Sequence, residues 1–140
     1  MLTEAQQQEV IRAIQQAERN TSGEIRVHVE QTSSETDVLK RTQNIFAELN
    51  MQETASRNAI LIYVALQDRK FAIWGDKGIN EVVPENFWES TRDIMREHLR
   101  QNDLVGALTK GVLMAGQQLK TYFPFQKDNL NELPDDISFG

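Results

Sequence analysis

The sequence predicts an α/β protein, a three-layer sandwich in which a small mixed β-sheet is flanked by about four helices. Three observations predict it. Ala59 to Leu66 is an unbroken run of eight apolar residues rich in Ile, Val and Tyr. A run of that length bounded by turn residues reads as a strand buried on both faces. Upstream, Glu24 to Glu30 alternates strictly, with Ile25, Val27 and Val29 facing one way and Glu24, Arg26, His28 and Glu30 the other. A helical stretch separates these two strands, so they form a parallel, right-handed βαβ crossover. Downstream, the polar quartet Gln67-Asp68-Arg69-Lys70 folds a second short run, Phe71 to Trp74, back as an antiparallel hairpin.

Taken in order, Thr3 to Arg19 reads as the first helix, with Leu2, Val10, Ile11, Ile14 and Ala17 as its apolar stripe. Thr3 followed by Gln6 is a capping-box pair, and Asn20-Thr21-Ser22-Gly23 supplies the stop. The alternating strand has one dry and one wet face, which places it nearer a sheet edge than Ala59–Leu66. Gln31 to Thr36 is loop, and Asp37 to Leu49 is a second helix burying Val38, Thr42, Ile45, Phe46 and Leu49. After the hairpin, Gly75 to Val83 is irregular, with room for one helical turn. Pro84 opens a third helix to about Arg100, burying Phe87, Trp88, Ile94, Met95 and Leu99, with Glu85 and Glu89 complementing the dipole. Asp103 caps a fourth helix to about Tyr122. Ala107, Gly111 and Ala115 form a small-residue seam on it, and Pro124 ends it. The expected organisation is one domain over residues 1–125 and an acidic, flexible tail over 126–140. That tail holds Asp128, Glu132, Asp135 and Asp136 against Lys127, while Leu133, Ile137 and Phe139 are able to clip onto a groove or a partner.

Composition bounds the function. The 140 residues suffice for one domain with a real core. Fifteen Lys and Arg against 21 Asp and Glu give a net charge of −6, with no basic run. Nucleic acid is therefore excluded as a partner by repulsion, and anionic membrane surfaces are disfavoured for the same reason. The absence of cysteine removes disulfides, thiol catalysis and thiolate metal sites. Neither a signal-peptide pattern nor an apolar span of membrane length is present, so the expected location is cytoplasmic.

Three stretches carry a resemblance. TSGEIRVHVE after the first helix, then RNAILIYVALQDRKFAIWGDKGI, then VPENFW, resemble the TPM domain family, and the closing NELPDDISFG is similar to the tail of its small bacterial members. The family is named for a thylakoid lumen protein, a photosystem II repair protein and a modulator of acetylcholine receptors. The resemblance implies an α/β sandwich. It also implies calcium binding, and the acid phosphatase activity linked to a plant lumenal member. Many members carry a signal peptide and a membrane helix, and this chain shows neither pattern.

Topology selects the candidate residues. With two parallel strands and a returning third, one end of the sheet collects Ser22-Gly23-Glu24, Arg57 and Gly75-Asp76-Lys77, near the entry to the third helix at Glu81 and Glu85. Glu24, Asp76 and Glu85 supply the hard oxygen ligands that Ca²⁺, or alternatively Mg²⁺, prefers, although no EF-hand spacing is present. The plainer reading is a Glu24–Arg57 ion pair between strand ends, with Asp76 capping a turn. Arg57, Lys77 and the Gly75 and Gly78 amides make a candidate phosphate cradle for a weak metal-dependent phosphatase, but no P-loop, Cys-x5-Arg or Asp-x-Asp motif accompanies them. His28 on the wet strand face and His98 at helical spacing from Ile94 and Met95 read as structural. Trp74 and Trp88 read as packing, and Met51, Met95 and Met114 as core filler. The leading expectation is a divalent-cation-binding module with a binding or regulatory role. A phosphatase, or a metal-free domain whose tail docks a protein, are the alternatives.

Overall fold

A computed structural model describes residues 2–126 and 133–140. The apolar run forms β2 (Ala59–Ala65), buried along its whole length, and β1 (Glu24–Glu30) lies parallel to it from Glu24↔Ala59 to Glu30↔Ala65. The intervening α2 (Val38–Glu48) makes this a strand–helix–strand crossover, with Asp37 accepting from the Leu39 and Lys40 amides at its N-terminus. The hairpin return, β3 (Lys70–Gly75), is antiparallel to β2. Each of these pairings follows the sequence reading.

The two faces of the sheet bury different layers. Ile25, Val27, Val29, Ile60, Ile62 and Val64 point into a core shared with α1 (Glu4–Glu18) and α5 (Leu104–Leu119), where Val10, Ile14, Leu108, Val112 and Leu119 meet them. Ala59, Leu61, Tyr63 and Ala65 pack on the opposite face against Ile45 and Phe46 of α2 and against Met51. The capping box at Thr3 is closed in both directions, at 3.1 Å to the Gln6 amide and 2.9 Å back from the Thr3 amide. The expected small-residue seam on α5 is real. A Cβ at Gly111 would meet Met95 Sδ at 2.7 Å, so a larger residue there would have to displace the Met95 side chain where α4 (Glu89–Arg100) and α5 pack closely.

Three expectations are corrected. The segment read as a flexible tail contributes a fourth strand, β4 (Ile137–Phe139), parallel to β1, giving the sheet order β3-β2-β1-β4. Leu133 and Ile137 are buried in the two cores, so the groove they clip onto is the chain's own; Lys127, Asp128 and Glu132 lie outside the described residues. Strand β1 is accordingly internal rather than near an edge, because β4 covers it. Finally, the helix expected from Pro84 starts at Glu89, after a turn in which Phe87 N–H bonds Pro84 O and Gln118 Nε2 donates to Phe87 O at 2.7 Å. On that helix Ile94 is 36% exposed rather than buried.

The irregular stretch after β3 contains the single turn α3 (Lys77–Asn80). The chain beyond α5 is pinned to the start of β1 by Ser22 N–H and the Thr21 hydroxyl, both donating to Phe123 O. Among the described residues, no helix is long and apolar enough to cross a membrane.

Candidate functional site

The rim expected to hold the site exists. Glu24 N–H donates to Asn58 O and Asp76 N–H to Ala59 O, so Glu24, Arg57 and Asp76 lie around the start of β2. Their side chains divide between two clusters. Arg57 grips Asp76 with two bonds, Nε to Oδ2 at 2.6 Å and Nη2 to Oδ1 at 2.8 Å. Asp76 Oδ1 also accepts the Lys77 amide at 2.8 Å, capping α3. The ion pair of the plainer reading is thus formed by Arg57 with Asp76, not with Glu24, while the turn-capping role of Asp76 is as expected. A carboxylate whose charge and lone pairs are taken up by a bidentate guanidinium is a poor ligand for a cation.

The remaining candidates are dispersed. Glu85 lies exposed on the loop before α4, and Lys77 is exposed at the start of α3. The Gly78 amide donates to Arg57 O at 2.9 Å, so it is not offered to a phosphate.

Glu24 belongs to a different cluster. It is 2% exposed and lies with Glu18 and Asp135 around a cavity of about 170 Å³, lined also by Gln15, Arg19, Gly23 and Phe125. Three elements build this place. The last turn of α1 brings Glu18, the first residue of β1 is Glu24, and Asp135 stands two residues ahead of β4. Glu18 Oε2 accepts the Ile25 amide at 2.9 Å, which fixes its carboxyl at the head of the strand. Burial, then the hydrogen bond to Asp135, pushes the Glu18 carboxyl up to about 10, so at neutral pH it carries a proton. Asp135 Oδ1 is buried without a hydrogen-bond partner among the described residues. Among those residues no three His, Asp or Glu side chains stand spaced for an ion. Glu18 is hydrogen-bonded to both Asp135 and Glu24, so its proton is shared within the carboxyl cluster.

At the other end of β1 lies a buried polar network that the sequence reading did not foresee. Glu30, 3% exposed, accepts Arg41 Nη2 and Nε at 2.7 and 3.1 Å, and Tyr63 OH at 2.7 Å. His28 Nε2 lies 3.1 Å from Glu30 Oε1 and its Nδ1 2.7 Å from Ser138 Oγ. Burial alone would raise the Glu30 carboxyl, but the bonds from Arg41, Tyr63 and His28 outweigh it and hold it down at about 2. Burial, and then Glu30, pushes the Tyr63 hydroxyl up to about 12, while burial keeps His28 below its ordinary value and neutral. On the face read as wet, His28 and Glu30 are therefore buried and paired within the protein, while Arg26 stays partly exposed. Ser138, His28 and Glu30 fall in the order of a nucleophile triad, yet Glu30 is already neutralised by Arg41, and the network's contacts fasten β4 to β1. A Cβ on Gly140 would stand 2.4 Å from Glu30 Oε1 and 2.9 Å from His28 Nε2, so Gly140 packs directly against the network. His98 is structural as expected, bonding Asp103 Oδ2 at 2.8 Å across the α4–α5 turn.

Comparison with known proteins agrees with this architecture. The TPM domain profile matches residues 1–118. The solution structure of the BA42 protein from the psychrophilic bacterium Bizionia argentinensis is similar at 45% identity and a TM-score of 0.94, covering 100% of this chain and 96% of that one. The N-terminal domain of cg2496 from Corynebacterium glutamicum is similar in fold at 12% identity and a TM-score of 0.67, covering 98% and 80%. So is an N-terminal domain from P. gingivalis at 23% identity and 0.66, covering 87% and 78%. No curated protein matches the chain significantly.

Proposed function

Because the chain belongs to the TPM domain family, we propose that it is a divalent-cation-binding module in which Ca²⁺, or Mg²⁺, takes the place of the proton held by Glu18. The observation that carries this reading is the convergence of Glu18, Glu24 and Asp135 on one cavity, with a buried Asp135 oxygen left unbonded among the described residues. Three carboxylates are a hard, anionic donor set of the kind Ca²⁺ and Mg²⁺ prefer. The bound cation would supply the positive charge that lets all three ionise together. Glu18 is deprotonated in the process, Glu24 anchors the set on β1, and Asp135 brings the entry to β4. Loading would therefore fasten β4 to α1 and β1, which is a regulatory role rather than a catalytic one. The reading keeps Glu24 from the sequence-based set and replaces Asp76 and Glu85 with Glu18 and Asp135.

Titration with Ca²⁺ while recording backbone amide shifts tests it. Saturable shifts are expected at residues 17–19, 23–26 and 133–137, and they should be lost in Glu18→Gln and Asp135→Asn. Shifts centred instead on residues 76–85 would move the site to the Arg57–Asp76 rim. No specific support exists for phosphate hydrolysis at that rim, since Arg57 and the Gly78 amide are already engaged.

A further inference from the structure

A cavity of about 590 Å³ lies at the opposite end of the strands from the carboxyl cluster. It opens beyond the C-terminal end of β2, the end of a parallel pair where α/β proteins place ligands. Its floor is apolar, formed by Val64, Leu66, Phe71, Leu99 and Leu104. Its rim carries Arg69 and Lys70 from the hairpin turn and Arg96 and Arg100 from α4, and no Asp or Glu lines it. In a chain with net charge −6, four cations gathered without a lining carboxylate are a local reversal of sign.

The cations differ in how far they are committed. Arg96 pairs with Asp93 at 3.1 Å and lies 5.8 Å over the Phe71 ring, and Lys70 Nζ reaches Thr36 O at 3.1 Å. Arg69 and Arg100 make no ion pair among the described residues. Arg69 also sits at φ 53°, a left-handed turn position that glycine adopts more readily. The turn geometry therefore does not account for an arginine there.

We propose that this cavity is a binding pocket for a small amphipathic anion, an apolar body lying on Phe71, Leu66 and Leu99 with a carboxylate or phosphate head held by Arg69 and Arg100. Its size falls within the ~300–1,000 Å³ range of small-molecule sites. The planar, always-charged guanidinium fork matches either head group in two-point fashion. The pocket is independent of the cation site, since the two lie at opposite ends of β1 and β2.

Amide shifts under titration with phenylacetate, phenyl phosphate and the neutral analogue benzyl alcohol test the proposal at low salt. Both anions are expected to give saturable shifts confined to residues 64–71 and 96–104, at least about tenfold tighter than benzyl alcohol, the contribution of a charge-assisted bond. Whichever anion binds more tightly identifies the head group. Arg69→Gly, which suits the turn backbone, and Arg100→Gln, on an exposed last helical turn, should each weaken the anions about tenfold and leave benzyl alcohol unaffected. Equal binding of the neutral analogue, shifts scattered over the surface, or folded variants that bind both anions unchanged would each overturn the proposal.

Discussion

Glu18 and Glu30 are the same residue type at the two ends of β1, driven in opposite directions by their surroundings. Burial dominates at Glu18 and raises it to about 10, whereas at Glu30 the bonds from Arg41, Tyr63 and His28 overcome burial and lower it to about 2. The signs of their contributions to stability follow. Glu30, depressed below its ordinary 4.5, gives stabilisation that is fully present above pH 4.5 and lost as pH falls through about 2. Glu30→Gln should therefore cost about 3 kcal/mol in urea unfolding at pH 7, because Arg41, largely buried, keeps only the exposed Glu48 at 4.0 Å as a counter-charge, and the gap to the parent should close near pH 2. Glu18, raised above 4.5, contributes stabilisation that is fully present below pH 4.5 and lost as pH rises toward 10. In metal-free buffer the parent should thus lose stability relative to Glu18→Gln between pH 6 and pH 9, measured as a widening difference in melting temperature. His28, held neutral by burial, acts in the same sense as Glu30. Its contribution is present above about pH 6.5 and declines as pH falls below that.

Strand β4 is three residues long, yet it decides how β1 is used. With Ile137 and Leu133 buried, removal of residues 127–140 should lower stability by about 3–5 kcal/mol, from roughly 1.5–3 kcal/mol per fully buried aliphatic side chain. It should also uncover the β1 edge and promote self-association, read by sedimentation. Retention of the parental melting temperature would contradict the sheet order. At the helical seam, Gly111→Val should destabilise by about 1–3 kcal/mol through the clash with Met95, measured by thermal melting. The hairpin, the crossover, the capping box and this seam were all legible, because each is a local pattern of spacing or turn chemistry. Strand β4 was not, since three residues after Pro134-Asp135-Asp136 show no periodicity and the acids around them read as solvated. The polar face of β1 misled for the same reason: the partners of His28 and Glu30, namely Arg41, Tyr63 and Ser138, are scattered through the chain. Helix α4 starts five residues after Pro84 because Gln118, remote in sequence, holds the Phe87 carbonyl.

For the whole molecule, the parallel pair sets out two ends of unlike charge. The head of β1 gathers carboxyls from α1, β1 and the approach to β4, and the far end of β2 gathers arginines and a lysine over an apolar floor. Topology alone predicts the rim that holds Glu24, Arg57 and Asp76, whereas the approach of Glu18 and Asp135 to Glu24 depends on long-range packing. Glu18 did leave a signal. It continues the buried Val10–Ile14 stripe at four-residue spacing, a charge where the helix should be apolar. Asp135 left none, since its place depends on β4. A cation that binds at Glu18 must displace its proton. Calorimetric titration with Ca²⁺ at pH 6, 7 and 8, in buffers of different ionisation enthalpy, tests it most directly. Release of about one proton per ion bound and affinity rising about tenfold per pH unit are expected; binding that releases no proton and keeps the same affinity at all three pH values would contradict the exchange.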